Sequence, residues 1–372
     1  MSYKSDSYKR LGDYIKEVDI RNRDLQCTKL LGLSIAKTFI PSIANTVGTD
    51  FRPYKIVKHN QFAYVPVTSR NGDKITVALY DGEEDCIISQ AYISFEIKDT
   101  SKLLPEYLMI WFRRPEFDRY ARFKSHGSAR EVFDWEEMCN VLMPIPDIKE
   151  QKRIVYQYNA IQNRIETNKQ TIVKLEETAQ AIYRKMFIDN IDLEDLPDGW
   201  EKGTLSEIAT INMGQSPAGN TLNKQGNGIL FYQGCTDFGI RFVAPRVYTT
   251  APTKFAEPYD ILISVRAPVG SLNITKEQCC IGRGLAAIKA TCESQSFVFY
   301  TLKNQTQAFS VADDEGSIFG SINKDGLKNL SIVIPPKSLI KEYDKLVSPI
   351  DKLIIHYESE INILQDTLSV IL

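Results

Sequence analysis

The sequence is short of the residues that most often carry metal and acid–base chemistry. Only three histidines occur, His59, His126 and His356. A His-rich metal centre is therefore out of reach, and a histidine-dependent triad would have few candidates. The seven cysteines, Cys27, Cys86, Cys139, Cys235, Cys279, Cys280 and Cys292, form no C-x-x-C pair and their count is odd. That usage fits reduced thiols in a cytosol better than a disulfide framework or a zinc site. No apolar run approaches the roughly 20 residues of a membrane span, and the opening Met1 to Asp6 lacks the apolar core of a signal peptide. No G-x-G-x-x-G follows a strand and no G-x-x-x-x-G-K-[ST] occurs, so phosphate cradles are unsupported. The Asn/Asp-Pro-Pro-aromatic run of an amino-methyltransferase is missing too, because Pro335-Pro336 is followed by Lys337.

What remains is a globular composition: 372 residues and 42.3 kDa, 43% hydrophobic and 25% charged, enough for two ordinary domains. A net charge of −2 gives no global hint of nucleic acid, but its distribution is uneven. Residues 1–60 hold eleven Lys/Arg against six Asp/Glu, and Arg113 to Arg130 six against two. A polyanion would be attracted there, although a solvated helix face is the ordinary explanation of any one charge run.

The chain is also a duplication. At an offset of 189, Leu108 meets Phe297, Trp111 meets Tyr300, Gly127-Ser128 meets Gly316-Ser317, and Ile145-Pro146 meets Ile334-Pro335. Upstream the offset is 194: Leu11 meets Leu205 and Cys86-Ile87 meets Cys280-Ile281, so the second copy lacks five residues between Cys280 and Phe297. Each copy is a mixed segment followed by a helical tail. In the first tail apolar positions recur at Ile154, Tyr158, Ile161, Ile165, Asn168, Ile172, Leu175, Ala179 and Ile182. In the second they fall at Tyr343, Val347, Ile350, Ile354, Tyr357, Ile361, Leu364, Leu368 and Ile371. Sustained 4-3 spacing is a coiled-coil seam, with Asn168 as a register-setting interruption. Asp147 and Glu150 form a capping box for the first tail, and Ser338 is the candidate cap of the second. With a whole domain between them the tails can pair antiparallel. The seam then measures roughly 42 Å at 1.5 Å per residue, a little more than the ~34–36 Å turn of B-DNA.

The mixed segments read as short strands and one helix each. Strands are expected at 56–57, 62–67, 74–79 and 87–97, then at 229–233, 260–265 and 284–289; helices are expected at 105–124 and 296–312. Strands gathered before a helix indicate α+β domains. The expected architecture is two duplicated mixed domains, 1–147 and 191–337, separated by an antiparallel two-helix coiled coil, 148–190 and 338–372, with pseudo-twofold symmetry.

Polar and Gly-rich loops supply the candidate DNA contacts: Arg70 in the Asn-Gly turn, Ser128, Arg130, Gln215, Ser216, Asn220, Gln233, Thr236, Arg266 and Ser317. Amide, hydroxyl and guanidinium groups of this kind read base edges, though each such loop is more often a plain turn. One catalytic alternative exists. Asp85 with Glu96-x-Lys98 has the residue types by which nucleases hold Mg²⁺ and a water, yet at the 194 offset the second copy has Cys279, Ala290 and Cys292 there.

Leu196-Pro197-Asp198-Gly199-Trp200 followed by Leu205, Ile208 and Gly214 resembles the entry to a target-recognition domain in the specificity (S) subunits of type I restriction–modification systems. Ile145-Pro146 with Glu150-Gln151 and Ile154-Val155 resembles that family's exit into its conserved helix, and Asp260 to Arg266 with Pro268-Val269-Gly270 resembles an internal segment. The first copy departs by opening at Tyr8-Lys9-Arg10-Leu11 without the Trp motif, and the second exit lacks Glu-Gln. The resemblance implies that each domain reads one part of a bipartite double-stranded DNA site while the coiled coil fixes the unread spacer. It implies two methyltransferase (M) subunits docked along the helices, bringing S-adenosylmethionine, and restriction (R) subunits using ATP and Mg²⁺. This chain would then be a non-catalytic cytoplasmic subunit that binds no cofactor and no metal. A metal-dependent nuclease, or a stand-alone DNA-binding decoy without methyltransferase partners, is the alternative.

Overall fold

Residues 8–44, 46–69, 72, 74–126, 131–189, 191–314 and 321–371 are described in a computed structural model. The chain divides into two units, Met1–Arg164 with Leu364–Leu372, and Ile165–Ile363. The first runs β1 (Tyr8–Arg10), β2 (Ile15–Val18), β3 (Leu31–Leu33), β4 (Phe39–Pro41), β5 (Lys55–Val57), β6 (Phe62–Tyr64), β7 (Val77–Leu79), β8 (Cys86–Ile88), β9 (Ile93–Ile97), α1 (Pro105–Phe112), α2 (Pro115–Lys124), α3 (Trp135–Asn140) and β10 (Leu142–Pro144), then enters α4 (Ile148–Phe187). After α4 come β11 (Glu201–Thr204), α5 (Leu205–Ile208), β12 (Ala209–Met213), β13 (Leu222–Asn223), β14 (Ile229–Tyr232), β15 (Tyr248–Thr249), β16 (Phe255–Ala256), β17 (Ile261–Ser264), β18 (Leu272–Ile274), β19 (Cys279–Ile281), β20 (Leu285–Ala290), α6 (Gln295–Asp314), α7 (Lys324–Lys328), β21 (Ser331–Ile334) and α8 (Lys337–Ile371). No described helix is long and apolar enough to cross a membrane.

The duplication holds at the level of strand register. Sheet β2-β9-β6-β7 in the first unit has the same order as β12-β20-β17-β18 in the second. Ile15 faces Ile97 as Ala209 faces Ala290, and Phe62 faces Phe95 as Ile261 faces Ile288. The entry strand lies against the exit strand in both: Arg10 faces Leu142, and Thr204 faces Ser331. Even an isolated bridge recurs, Val67 with Val132 and Arg266 with Ser321. These ladders correct the expected alignment by one residue. Val57 faces Cys86 as Ala256 faces Cys279, so Cys86 corresponds to Cys279 and not to Cys280. Glu96 corresponds to Lys289, again an offset of 193. Four of the five missing residues then fall in the turn into the helix, where Lys98 to Tyr107 is matched by the shorter run Thr291 to Ser296.

The expected helix over 105–124 is two helices. Pro115 has no amide to donate and disfavours α geometry in the residue before it; Arg114 is extended at φ −67°, ψ 138°, and α2 restarts with Pro115 in its first turn. The strand over 87–97 divides into β8 and β9, in different sheets. The segment Leu196 to Trp200 makes a turn in which the Trp200 amide donates to Pro197 O, with Gly199 at φ +78°. It sets Trp200 against Phe187, ring centroids 6.1 Å apart.

Both tails are long helices, and they run antiparallel. In the second unit Tyr183 of α4 packs on Tyr343 of α8, centroids 6.0 Å apart, inside a core with Ala179, Phe187, Leu205, Ile261, Ile288, Phe297, Tyr300 and Val347. In the first unit Ile154 lines one cleft with Ile371. One seam position per heptad is buried throughout: Tyr158, Ile165, Ile172 and Ala179, and Val347, Ile354, Ile361 and Leu368. The alternate positions Ile161, Leu175, Ile182, Ile350, Leu364 and Ile371 are half-buried, whereas Asn168 is fully enclosed.

The caps differ from expectation in detail. Asp147 accepts the Glu150 amide at 2.9 Å, but the Glu150 carboxylate turns away to Arg153, at 2.6 and 2.8 Å. Ser338 lies inside the first turn of α8, and Pro336 O accepts the Leu339 amide instead. Asp147→Ala should therefore lower stability by about 1 kcal/mol, while Glu150→Gln should change it by less. Urea melts of the two variants check this.

Candidate nucleic-acid interface

In the second unit the loops leaving β12, β14 and β17 and entering β20 converge at one end of the sheets. The Gly214 amide donates to Leu285 O and the Gln215 amide to Ile281 O, each at 2.9 Å; the Gly282 amide donates to Tyr232 O at 2.8 Å. The Val265 amide donates to Gly284 O at 2.9 Å. The crossing is so close that a Cβ on Gly214 would lie 2.2 Å from Gly282 O, and one on Gly284 2.5 Å from Gln233 O. Only residues without a Cβ let these segments touch.

Several expected contacts are gathered by this crossing. The Ser216 hydroxyl donates to Gln233 Oε1 at 3.1 Å and accepts the Arg283 amide at 3.2 Å. Thr253 donates its hydroxyl to Gln215 O. Gln215, Gln233, Thr236 and Asn220 are exposed, as is Arg266, which follows Val265 on the same edge. Arg266 and Arg283 have no acidic partner among the described residues, so both guanidiniums are available for an anionic or base-edge partner. Asn220 and Thr236 sit on short 3-10 turns, Gly219–Thr221 and Cys235–Asp237, and have no bond to the Ser216–Gln233 pair.

Two residues that position this edge escaped the sequence reading. Asp237 is buried, accepting the Gln233 amide at 3.3 Å and Arg246 Nε at 2.7 Å, so it fixes the loop that carries Gln233. Arg283 stands between two glycines, and its neighbours Ser216 and Gln233 come from segments 50 and more residues away, which no local pattern reveals.

Arg70, Ser128 and Arg130 in the first copy and Ser317 in the second lie outside the described residues. Around them, the His126 amide and carbonyl pair with Val132, and Thr68 donates to Ser125 at 2.9 Å. The catalytic alternative finds no support. Glu96 is bound to Lys16 at 2.8 Å and to Gln61 at 2.7 Å, and the Lys16 contact above all holds its carboxyl below the usual range. Lys98 donates to Gly12 O at 2.8 Å, and Asp85 lies 4.0 Å from Lys58. In the structural register their counterparts are Gln278, Lys289 and Thr291, and no group of three or more His, Cys, Asp or Glu that could hold a metal occurs among the described residues.

The family model for the type I restriction modification DNA specificity domain matches residues 42–177 and again 197–364. A specificity subunit of Methanocaldococcus jannaschii, named for the type I restriction enzyme MjaX, is 30% identical over 292 residues, which is 75% of this chain and 68% of that protein. The MjaIX specificity subunit of the same organism is 21% identical over 290 residues, 71% of this chain and 66% of its own. The crystal structure of a type I restriction-modification S subunit from M. genitalium shares the fold, with a TM-score of 0.59 at 15% identity over 100% of this chain and 96% of that one.

Proposed function

The chain belongs to the type I restriction-modification DNA specificity family, and on that premise we propose that each repeated domain reads one part of a bipartite double-stranded DNA site. The paired helices set the unread spacer between the parts. The observation that carries this reading is the repeated strand register, which gives two related domains one sheet end each. In the second domain that end bears Gln215, Ser216, Gln233, Arg266 and Arg283 on segments that approach each other at Gly214, Gly282 and Gly284. Phosphate contacts would supply salt-sensitive affinity, while base contacts supply the choice of sequence.

In this proposal the chain is non-catalytic and cytoplasmic. Two methyltransferase subunits dock along α4 and α8 and bring S-adenosylmethionine to one adenine in each half-site. Restriction subunits add ATP- and Mg²⁺-dependent translocation and cleavage. The chain itself binds neither cofactor nor metal.

A genome-wide adenine-methylation map of the host, with and without this chain, tests the proposal. Loss of one bipartite motif on deletion is the expected result, and an unchanged map in a host whose methyltransferase is active overturns it. Exchange of residues 191–337 for a relative's domain should change one half-site and leave the other. Alteration of both would contradict the division of labour between the domains.

A further inference from the structure

The repeated register allows a comparison that neither copy permits alone: which side chain each domain places at the same point of its loop edge. Phe95 is equivalent to Ile288 and Ile97 to Ala290, and Cys86 to Cys279 by the pairing of β8 and β19, so the numbering runs between them without a gap. Ile88 then falls on Ile281, and the link Ser89-Gln90-Ala91-Tyr92 on Gly282-Arg283-Gly284-Leu285. Gln90 and Arg283 are therefore the same position in the two domains, and both are exposed. The neighbouring edge obeys the same correspondence. The Phe133 amide donates to Pro66 O at 2.9 Å, as the Ile322 amide donates to Val265 O at 3.0 Å, which makes Val67 the counterpart of Arg266.

Three observations single out this position. The backbone around Arg283 is fixed, since its amide donates to Ser216 and Gly282 and Gly284 bond to Tyr232 and Val265. Its guanidinium has no acidic partner among the described residues, although the chain holds more acidic than basic residues. A held backbone starts the side chain from one place on the loop edge, and a guanidinium with no partner inside the protein keeps its donors available for a base. The two copies also differ there in the chemistry that separates bases. Arginine bonds bidentately to guanine O6 and N7, and glutamine bidentately to adenine N6 and N7.

Resting on the DNA-reading assignment above, we infer that position 90/283 is a specificity determinant: Arg283 reads a guanine in the second domain's half-site, and Gln90 an adenine at the matching place in the first domain's half-site. Arg266, opposite Val67 in the other copy, adds a second guanidinium to the same edge of the second domain alone.

The test is selection from a randomised duplex DNA library by the full-length chain assembled with its methyltransferase, with wild type, Arg283→Gln and Gln90→Arg run side by side. The expected result for Arg283→Gln is a change from guanine to adenine at one position of one half-site, roughly ten- to a hundred-fold in preference, with the other half-site unchanged. Gln90→Arg should make the reverse change in the other half-site. Both side chains are exposed, and matching thermal melts confirm that the variants are folded. If Arg283→Gln weakens binding equally for all sequences and lowers the salt slope by about one, Arg283 holds a phosphate and the inference is overturned. An unchanged motif, or a change in the wrong half-site, overturns it as well. If wild type selects no bipartite motif, the DNA-reading assignment itself fails and this inference falls with it.

Discussion

Replacing Arg241 with methionine should destabilise the second unit by about 3–5 kcal/mol. Its melting temperature should fall by on the order of 10 °C, at ~2–4 °C per kcal/mol for a domain of this size. Arg241 is 3% exposed and lies over the Phe299 ring, 3.6 Å from its centroid. Its two terminal nitrogens reach Glu176 on α4 at 3.1 Å and Asp351 on α8 at 2.8 Å. One guanidinium from the mixed domain thus ties both helices, with Lys303 adding a 2.7 Å contact to Glu176. Without it two carboxylates are left at the helix pair with their shared cation gone.

The loss should depend on pH. Burial pushes the Asp351 carboxyl above the usual range, and the Arg241 charge opposes that rise. Removing the arginine raises the folded-state value further above the unfolded one. A carboxyl of that kind favours the folded state once protonated, so its contribution grows as pH falls and is lost as pH rises through the folded value. The deficit of Arg241→Met should therefore be widest near pH 8 and narrow towards pH 5. Arg241→Lys, which keeps the charge but not the planar fork, should fall between wild type and methionine. Urea melts across that pH range measure all three, and a deficit under 1 kcal/mol, or one independent of pH, would contradict the account.

The second large effect concerns the spacer. Deleting residues 161–167 together with 359–365 removes one heptad from each helix. Because Tyr183 meets Tyr343 and Glu176 shares Arg241 with Asp351, the two deletions face each other in the antiparallel register. The seam closes on itself, with Asn168 following Tyr158 at the old place of Ile161. Seven residues at 1.5 Å shorten the pair by about 10.5 Å, which is about three base pairs at 3.4 Å each. The preferred spacer should shrink by that amount with both half-sites intact. Affinity should also drop, since three base pairs turn one half-site by about 100° at ~10.5 per turn, whereas one heptad turns a helix face by only about 20°. Selection from a library with variable spacers reads both effects, and an unaltered spacer in a folded variant would refute the proposal that the paired helices set it.

The parts of this molecule legible in its sequence are those governed by short-range periodicity. The 4-3 rhythm places both long helices, and the apolar runs locate β5 to β9, β14, β17 and β20, whereas the other thirteen described strands, most of them two to four residues long, leave no run to read. The duplication is visible because both copies must fill the same core, as with Leu11 and Leu205 or Leu108 and Phe297, all buried. What escaped depends on a choice between near-equal partners or on distant segments. The offset slipped by one because Cys279 and Cys280 are both cysteines and both buried. Only the ladder tells which of them stands where Cys86 does, through Val57 in one copy and Ala256 in the other. The break at Pro115 was masked because Phe117 continues the apolar rhythm across it, and Phe117 is buried. The Glu150 carboxylate had a cap and an arginine within reach, and the charged partner won. The cluster at Arg241 draws on α4, α6, α8 and the loop after β14, so no window of sequence contains it.

In both copies the strand that enters a mixed domain lies beside the strand that leaves it, Tyr8–Arg10 on Leu142–Pro144 and Glu201–Thr204 on Ser331–Ile334. Each domain is a closed loop of chain with both ends at one doorway. The consequence belongs to heredity as much as to structure. A genetic crossover at each side of the doorway would replace everything between without asking the helices to refold, since chain ends that meet side by side tolerate insertion. Gene segments encoding α4 and α8 would then act as fixed hinges of a coding cassette, across which new recognition sequences arise by recombination in a single event.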